Sequence, residues 1–168
     1  MKCAEEYMRL YAVTDRAWVG DQTLYQQVES ALKGGVTCVQ LREKELPFGE
    51  CLDEARQFVA LCRELGAVSI INDNVEIARL TGADGVHVGQ EDMAAARARE
   101  ILGPGKLVGV SAHTVEEARA AYEMGADYLG TGAAFVTGTK TDAKPITRET
   151  IRAVTAAVDI PAVAIGGI

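Results

Sequence analysis

The amino-acid sequence predicts an α/β fold with a parallel sheet and, within that class, a TIM (β/α)8 barrel. Three observations carry this expectation. Short apolar runs rich in β-branched residues alternate with amphipathic stretches of helical period. Runs so nearly free of polar residues suit strands covered on both faces by crossover helices, as in parallel sheets. No Gly-x-Gly-x-x-Gly follows the first run, so the dinucleotide-binding open sheet, the other architecture of such units, loses its main support.

The elements follow in order. The strand-like runs are Leu10–Val13, Cys38–Leu41, Val68–Ile71, Val86–Val88, Leu107–Val110, Tyr128–Leu129 and Ala162–Ile165. Thr23–Lys33 places Leu24, Val28, Ala31 and Leu32 near the 3.6 period and stops at Gly34-Gly35. Phe48–Leu65 repeats the design, with Pro47 before it and Gly66 as its stop. Thr114–Met124 opens with Thr114, Glu116 and Glu117, a capped and acidic first turn, and stops at Gly125. Asp92 opens Met93–Leu102 and reads equally as a cap or as a ligand. A weak internal repeat supports the parsing: Gly82-Ala83-Asp84-Gly85-Val86-His87-Val88-Gly89 resembles Gly125-Ala126-Asp127-Tyr128-Leu129-Gly130-Thr131-Gly132.

Seven strand-like runs are one short of a closed barrel, which generally needs about 200 residues or more. The expectation is one barrel domain over residues 1–168, truncated after the seventh strand, with a C-terminal helix, strand and helix missing. The chain then reads as a fragment of a longer protein.

At 168 residues, 48% hydrophobic and 24% charged, the composition is that of one soluble globular domain. A disordered tail, a fibrous repeat and a disulfide-dense mini-protein are excluded. The net charge of −7 repels a phosphate backbone, so no nucleic-acid partner is expected, and an anionic ligand must be met by local donors. Cys3, Cys38, Cys51 and Cys62 form no CxxC pair and read as reduced, buried thiols. The acids in Met1-Lys2-Cys3-Ala4-Glu5-Glu6 do not suit a signal peptide, and no stretch approaches the roughly 20 apolar residues of a membrane span. A cytoplasmic protein acting on small molecules, away from membranes, is expected, its oligomeric state left open.

Polar residues cluster just after the apolar runs: Asp15 and Arg16; Gln40, Arg42 and Lys44; Asn72 and Asp73; Gln90, Glu91 and Asp92; Ser111 and His113; Thr137, Thr139 and Lys140; Gly166 and Gly167. In a parallel barrel these segments converge on one mouth, where active sites lie. One such cluster is an ordinary solvated loop; seven mixing cations, carboxylates, amides and hydroxyls read as a site. Gln40, Arg42 and Lys44 are spaced by two, which an extended strand would put on one face. Two cations there call for an anion, and an arginine fork with a lysine suits phosphate oxygens. Asp73 and Asp92, with waters and ligand phosphates, would complete an octahedral magnesium site. Thr137-Gly138-Thr139-Lys140 is a third anion-binding candidate, though taken alone it reads as an exposed loop.

These motifs resemble the thiamine phosphate synthase family. The resemblance rests on Gln40-Leu41-Arg42-Glu43-Lys44, Ile71-Asn72-Asp73, Gly85-Val86-His87-Val88-Gly89-Gln90-Glu91-Asp92, Gly109-Val110-Ser111-Ala112-His113, Thr137-Gly138-Thr139-Lys140 and Ile165-Gly166-Gly167-Ile168. It runs from about Leu10 to the last residue, with Val136 standing where many members carry proline. It implies that a hydroxymethylpyrimidine diphosphate and a thiazole phosphate give thiamine phosphate and pyrophosphate. In the family pyrophosphate leaves first with magnesium's help, and the thiazole nitrogen captures the pyrimidine cation. By the same resemblance Asp73 and Asp92 hold magnesium, and Gln40, Arg42, Lys44, Asn72, Ser111 and Lys140 hold the pyrimidine diphosphate. Arg42, Lys44, Ser111 and Lys140 are the catalytic set, while Thr137, Thr139 and Gly167 meet the thiazole phosphate.

His87 reads as a packing residue, His113 as a helix-start residue and Trp18 as part of a first loop. Two rivals stand beside the synthase. One is the related thiazole tautomerase, which needs neither metal nor pyrophosphate; Asp73, Asp92 and the Gln40/Arg42/Lys44 set argue against it. The other is a non-catalytic relative that binds a phosphorylated metabolite.

Overall fold

The computed structural model describes residues 3–89, 92–136 and 145–168. They fall into two compact units, Ala4–His87 and Val88–Ile168, with Cys3 belonging to the second.

The first unit runs β1 (Tyr11–Val13), a 3-10 turn (Arg16–Trp18), α1 (Leu24–Lys33), β2 (Cys38–Leu41), α2 (Phe48–Glu64), β3 (Val68–Asn72), α3 (Val75–Thr81) and β4 (Gly85–Val88). The strands are parallel and ordered β1-β2-β3-β4, with Tyr11 opposite Cys38, Cys38 opposite Val68 and Ile70 opposite Gly85. The second unit runs α4 (Asp92–Leu102), β5 (Leu107–Ser111), α5 (Val115–Glu123), β6 (Tyr128–Gly132), α6 (Arg148–Ala156) and β7 (Ala162–Ile165). Its strands are parallel in the order β5-β6-β7, with Gly109 opposite Tyr128 and Leu129 opposite Ala162. In neither unit does the order reverse, as it must at the switch point of a doubly wound sheet.

Local chemistry explains the elements. Thr23 closes a capping box with Gln26 at the start of α1, whose Leu24, Val28 and Leu32 are buried four residues apart. All four residues of β2 are buried, as are the first four of β5 and all of β6, which is the burial of a parallel sheet. Gly109 is required by a close approach, because a Cβ there would lie 2.1 Å from the ring of the fully buried Tyr128.

The sequence repeat is a repeated structural device. Asp84 precedes β4 and accepts hydrogen bonds from Ser69 N (2.9 Å) and Ser69 Oγ (2.8 Å) on β3. Asp127 precedes β6 and accepts from Val108 N (2.8 Å) on β5. In both cases a carboxylate at the amino end of one strand ties down the second residue of its neighbour. Asp127 is also paired with Arg99, whose guanidinium donates to the carbonyls of Gly103, Lys106 and Gly125.

Two expectations need correction. β2 ends at Leu41, so Arg42 and Lys44 lie in the following loop and the two-residue spacing does not carry them on a strand face. α4 begins at Asp92 itself, so Asp92 stands inside the first turn and not at the cap position before it. The helices α3 and α6 were not expected. Asn74 caps α3 by accepting from Ile77 N (3.0 Å), and Thr147 caps α6 by accepting from Thr150 N (3.1 Å).

Candidate active site at the carboxyl ends of the strands

Because the strands within a unit are parallel, each unit presents its strand carboxyl ends along one edge. In the first unit that edge carries Thr14–Arg16, Arg42–Lys44 and Asn72–Asp73. Thr14, 7% exposed, is its fastener: its N–H donates to Gln40 O (3.0 Å) and its Oγ1 accepts from Arg42 N (2.9 Å). The chain therefore leaves β2 in a fixed direction. Gln40 is buried, and its Nε2 donates to the Tyr11 hydroxyl (2.8 Å), leaving it a second N–H.

Arg42 is half-buried and Lys44 exposed, and no described carboxylate forms an ion pair with either. The acid between them is differently placed. Glu43, its side chain 5% exposed, pairs with Arg16 and accepts from Lys44 N (2.9 Å) and Glu45 N (3.0 Å). Burial alone would push its carboxyl up, but the Glu45 amide and the Arg16 guanidinium outweigh it and hold the carboxyl below the usual range. Arg16 is correspondingly raised, first by its hydrogen bond to Glu43.

Asn72 ends β3, and its Nδ2 donates to Asp73 Oδ2 (2.8 Å). Since Asn74 takes the helix cap, the Asp73 carboxylate is not used for capping and stays exposed. Asp73 sits at φ 57°, in the left-handed region, with its N–H donating to His87 O (2.8 Å). Aspartate tolerates this conformation better than most residues, and such backbones concentrate at functional sites. An exposed carboxylate is a hard-oxygen donor. It fits magnesium, which takes one or two protein carboxylates and completes its shell with water and substrate phosphate. His87 is buried in β4, a packing position.

Two cavities lie within this unit. The smaller, about 280 Å³, is lined by Lys44, Glu43, Asn72, Asn74, Cys51 and apolar residues including Leu41 and Ile71. The larger, about 540 Å³, lies against α1 and α2, and Glu50, Asp53 and Glu54 line it beside Arg16. Three carboxylates against one guanidinium make it unsuited to a phosphate, whereas the smaller has a single carboxylate, Glu43, already paired with Arg16, beside Lys44 and the Asn72 amide.

In the second unit the edge carries Ser111, His113, residues 133–136 and Gly166–Ile168. Ser111 ends β5, half-buried. His113 stands outside the helix, with its N–H (2.6 Å) and Nδ1 (3.1 Å) against Glu117 Oε2, while Thr114 is the cap. Gly166 and Gly167, at φ 98° and 70°, form a tight turn. A Cβ would meet Ala133 Cβ at 2.7 Å from Gly166, and Val136 O at 2.7 Å from Gly167. Ala134 N donates to Ile165 O (2.8 Å) and Phe135 N to Gly166 O (2.9 Å), so the β6 and β7 loops are zipped backbone to backbone. Gln90, Glu91, Thr137, Thr139 and Lys140 lie outside the described residues, as do the side chains of Trp18 and Asp92. Thr14 and Glu43 escaped sequence reading; the one available signal was an acid flanked by two cations.

Parallel strands joined by helices, with polar side chains gathered at strand carboxyl ends, are the architecture of a (β/α)-barrel. The thiamine monophosphate synthase family matches residues 10–168, and the chain belongs to that family. The thiamine-phosphate synthase of Moorella thermoacetica is 51% identical over 160 residues, 95% of this chain and 76% of the relative. That of Clostridium acetobutylicum is 46% identical over the same shares. The solved thiamine phosphate pyrophosphorylase from Pyrococcus furiosus superposes with a TM-score of 0.88 at 39% identity, covering 98% of this chain and 77% of that one. The family's enzymes are transferases that form thiamine phosphate. Among the described residues no helix is long and apolar enough to cross a membrane.

Proposed function

We propose that the chain joins 4-amino-5-hydroxymethyl-2-methylpyrimidine diphosphate to a thiazole phosphate, giving thiamine phosphate and pyrophosphate. The observation that carries this reading is the grouping of Lys44 and Asn72 in one cavity, with the exposed Asp73 carboxylate hydrogen-bonded to Asn72. Cation, amide and carboxylate there suit a metal-bound diphosphate.

Gln40, Arg42, Lys44, Asn72, Ser111 and Lys140 bind the pyrimidine diphosphate; Thr137, Thr139 and Gly167 bind the thiazole phosphate. Asp73 and Asp92 would hold magnesium, which when bound offsets charge on the departing pyrophosphate. The C–O bond between the pyrimidine methylene and the diphosphate breaks with its electron pair leaving on oxygen. Arg42, Lys44 and Lys140 meet the charge that builds there, stabilising the transition state more than the ground state. The thiazole nitrogen then donates its lone pair to the methylene cation. No side-chain nucleophile is required. Cys3, Cys38, Cys51 and Cys62 form no disulfide, which suits a reducing compartment, the cytoplasm.

The test is a product assay with both substrates, with and without magnesium, reading thiamine phosphate and pyrophosphate together. Equal amounts of both, formed only with magnesium, are expected. Isomerisation of a thiazole phosphate without metal, or no product at all, overturns the reading.

A further inference from the structure

The sequence Arg42-Glu43-Lys44 puts a carboxylate between two cations that the proposed function assigns to a diphosphate. Facing the same ligand, that carboxylate would repel it. The structure instead neutralises it where it lines the cavity beside Lys44: the Glu43 side chain is 5% exposed, its Oε1 takes the amides of Lys44 and Glu45, and its Oε2 takes Arg16 Nε. Arg16 then reaches on, with Nη2 donating to both oxygens of Glu54 on α2 (2.6 and 2.8 Å). Arg16 is itself placed by Asp15, whose Oδ1 accepts from Ala17 N (2.9 Å) and starts the 3-10 turn after β1. One guanidinium fork thus ties together the loop after β1, the loop after β2 and the flank of α2.

We propose that Arg16, Glu43 and Glu54 form a positioning clamp that sets the β2–α2 loop so that Arg42 and Lys44 are presented to the diphosphate. Their charges are met within the clamp, and they act on the diphosphate through the two cations. Three features support this assignment over a merely stabilising surface pair. The Arg16 guanidinium joins two carboxylates from different elements, 27 and 38 residues away, and Glu43 is nearly desolvated, unlike the exposed i,i+3 pairs Arg56–Asp53, Arg79–Glu76 and Arg97–Glu100. The Glu43 carboxylate binds the backbone amide of Lys44 itself, so its position sets that of the Lys44 Cα. And Thr14 fixes the Arg42 amide from the other side, which leaves Glu43 as the hold on the next two residues. Preorganised cations lose no energy to reordering as charge develops on the leaving group.

The inference rests on the reading of Arg42 and Lys44 as diphosphate ligands, and two measurements separate the two ideas. Amide hydrogen exchange at Lys44 and Glu45 reads the clamp without any substrate; steady-state kinetics reads its use. In Glu43→Ala, exchange at both amides should rise by about tenfold or more, and the KM for the pyrimidine diphosphate should rise about tenfold. The KM for the thiazole phosphate should stay within about twofold, because its ligands lie on other loops. Arg16→Lys keeps the charge but loses the fork, and should show the same pattern more weakly. Should Glu43→Ala fail to fold, Glu43→Gln carries the test: without the Arg16 pair its head group is no longer held in place, so exchange at both amides and the KM for the pyrimidine diphosphate should still rise, by less than in alanine. Unchanged exchange at Lys44 and Glu45, or an equal rise in both KM values, overturns the clamp. If the parent protein makes no thiamine phosphate, the functional reading has failed, and the exchange measurement alone still decides whether the clamp exists.

Discussion

Asp84→Ala provides the most direct test of how the strands of the first unit are tied together. The Asp84 carboxylate accepts from Ser69 N at 2.9 Å and from Ser69 Oγ at 2.8 Å, while Asp84 N donates to Ser69 Oγ at 3.1 Å. Ser69 is 1% exposed, so water does not readily replace the lost acceptor. An unsatisfied buried donor costs about 1–3 kcal/mol. The hydroxyl can rotate toward another acceptor, but the amide cannot, so the loss should be about 1–3 kcal/mol. That is a large part of a typical margin of about 5–15 kcal/mol. Urea unfolding should show a lower midpoint at unchanged slope, the signature of lost stability and not of an altered unfolded state. Asp84→Asn keeps one acceptor and should lose about half as much. Ser69→Ala, combined with Asp84→Ala, should lose less than the sum of the two, because the partners share one network. A midpoint for Asp84→Ala within about 0.5 kcal/mol of the parent refutes the tie.

Three further outcomes follow from the same physics. Gly109→Ala drives a Cβ into the Tyr128 ring at 2.1 Å and should destabilise by about 1–3 kcal/mol or more, read as a lower Tm. Glu43 is held below its usual range, so its contribution to stability is full above an unfolded value of about 4.3 and is lost as pH falls through the lower folded value. Urea midpoints should therefore fall on acidification below about pH 4, and Glu43→Gln should flatten that limb; an unaltered limb would count against the pairing with Arg16. Burial pushes the Cys62 thiol up to about 12 and Cys3 to about 11, whereas Cys51 is part-exposed and raised less. Iodoacetamide at pH 8 should therefore label Cys51 well before Cys62 by mass spectrometry, and the opposite order would contradict the burial.

The strands were legible because a parallel sheet strips polar residues from its interior: Cys38–Leu41 and Ala162–Ile165 match the apolar runs residue for residue. The helices α1, α2 and α5 were legible from their period and stops. The helix α3 spans seven residues with Ile77 and Ala78 buried, too short for a period to register, and Val154 is the fully buried residue of α6. The residues flanking the strand ends were equally visible as a class, since loops at a carboxyl edge must be polar. Their individual roles were not. Glu43 carried no role in the sequence because its partner Arg16 is 27 residues away, a pairing that the parallel register of β1 and β2 creates. Thr14 was hidden as the single residue between the apolar run of β1 and the polar pair Asp15 and Arg16. The spacing of Gln40, Arg42 and Lys44 misled for a related reason: period two holds in a strand, and the strand stops at Leu41.

Asp73 combines a chemical role with a conformational one, and the two separate by substitution. Its backbone sits at φ 57°, where a Cβ crowds the following carbonyl at a cost of about 1–2 kcal/mol for most residues, least for Asn and Asp. Asp73→Ala therefore confounds loss of the carboxylate with backbone strain. Asp73→Asn keeps the conformational tolerance, and Asp73→Gly removes the strain along with the side chain. If the carboxylate serves magnesium as proposed, Asn and Gly should both lower turnover by about a hundredfold or more, a loss on the scale of one key electrostatic contact. Their Tm values should stay near the parent's, because Asn74 and not Asp73 caps α3 and because the Asp73 N–H to His87 O bond needs no side chain. Alanine should show the same turnover loss together with a lower Tm. Raising magnesium should partly restore Asp73→Asn, whose amide oxygen is a weaker ligand, and should leave Asp73→Gly unaffected. Near-parent turnover by Asp73→Asn at low magnesium would remove the metal role from Asp73 and leave its left-handed backbone as the reason for an aspartate there.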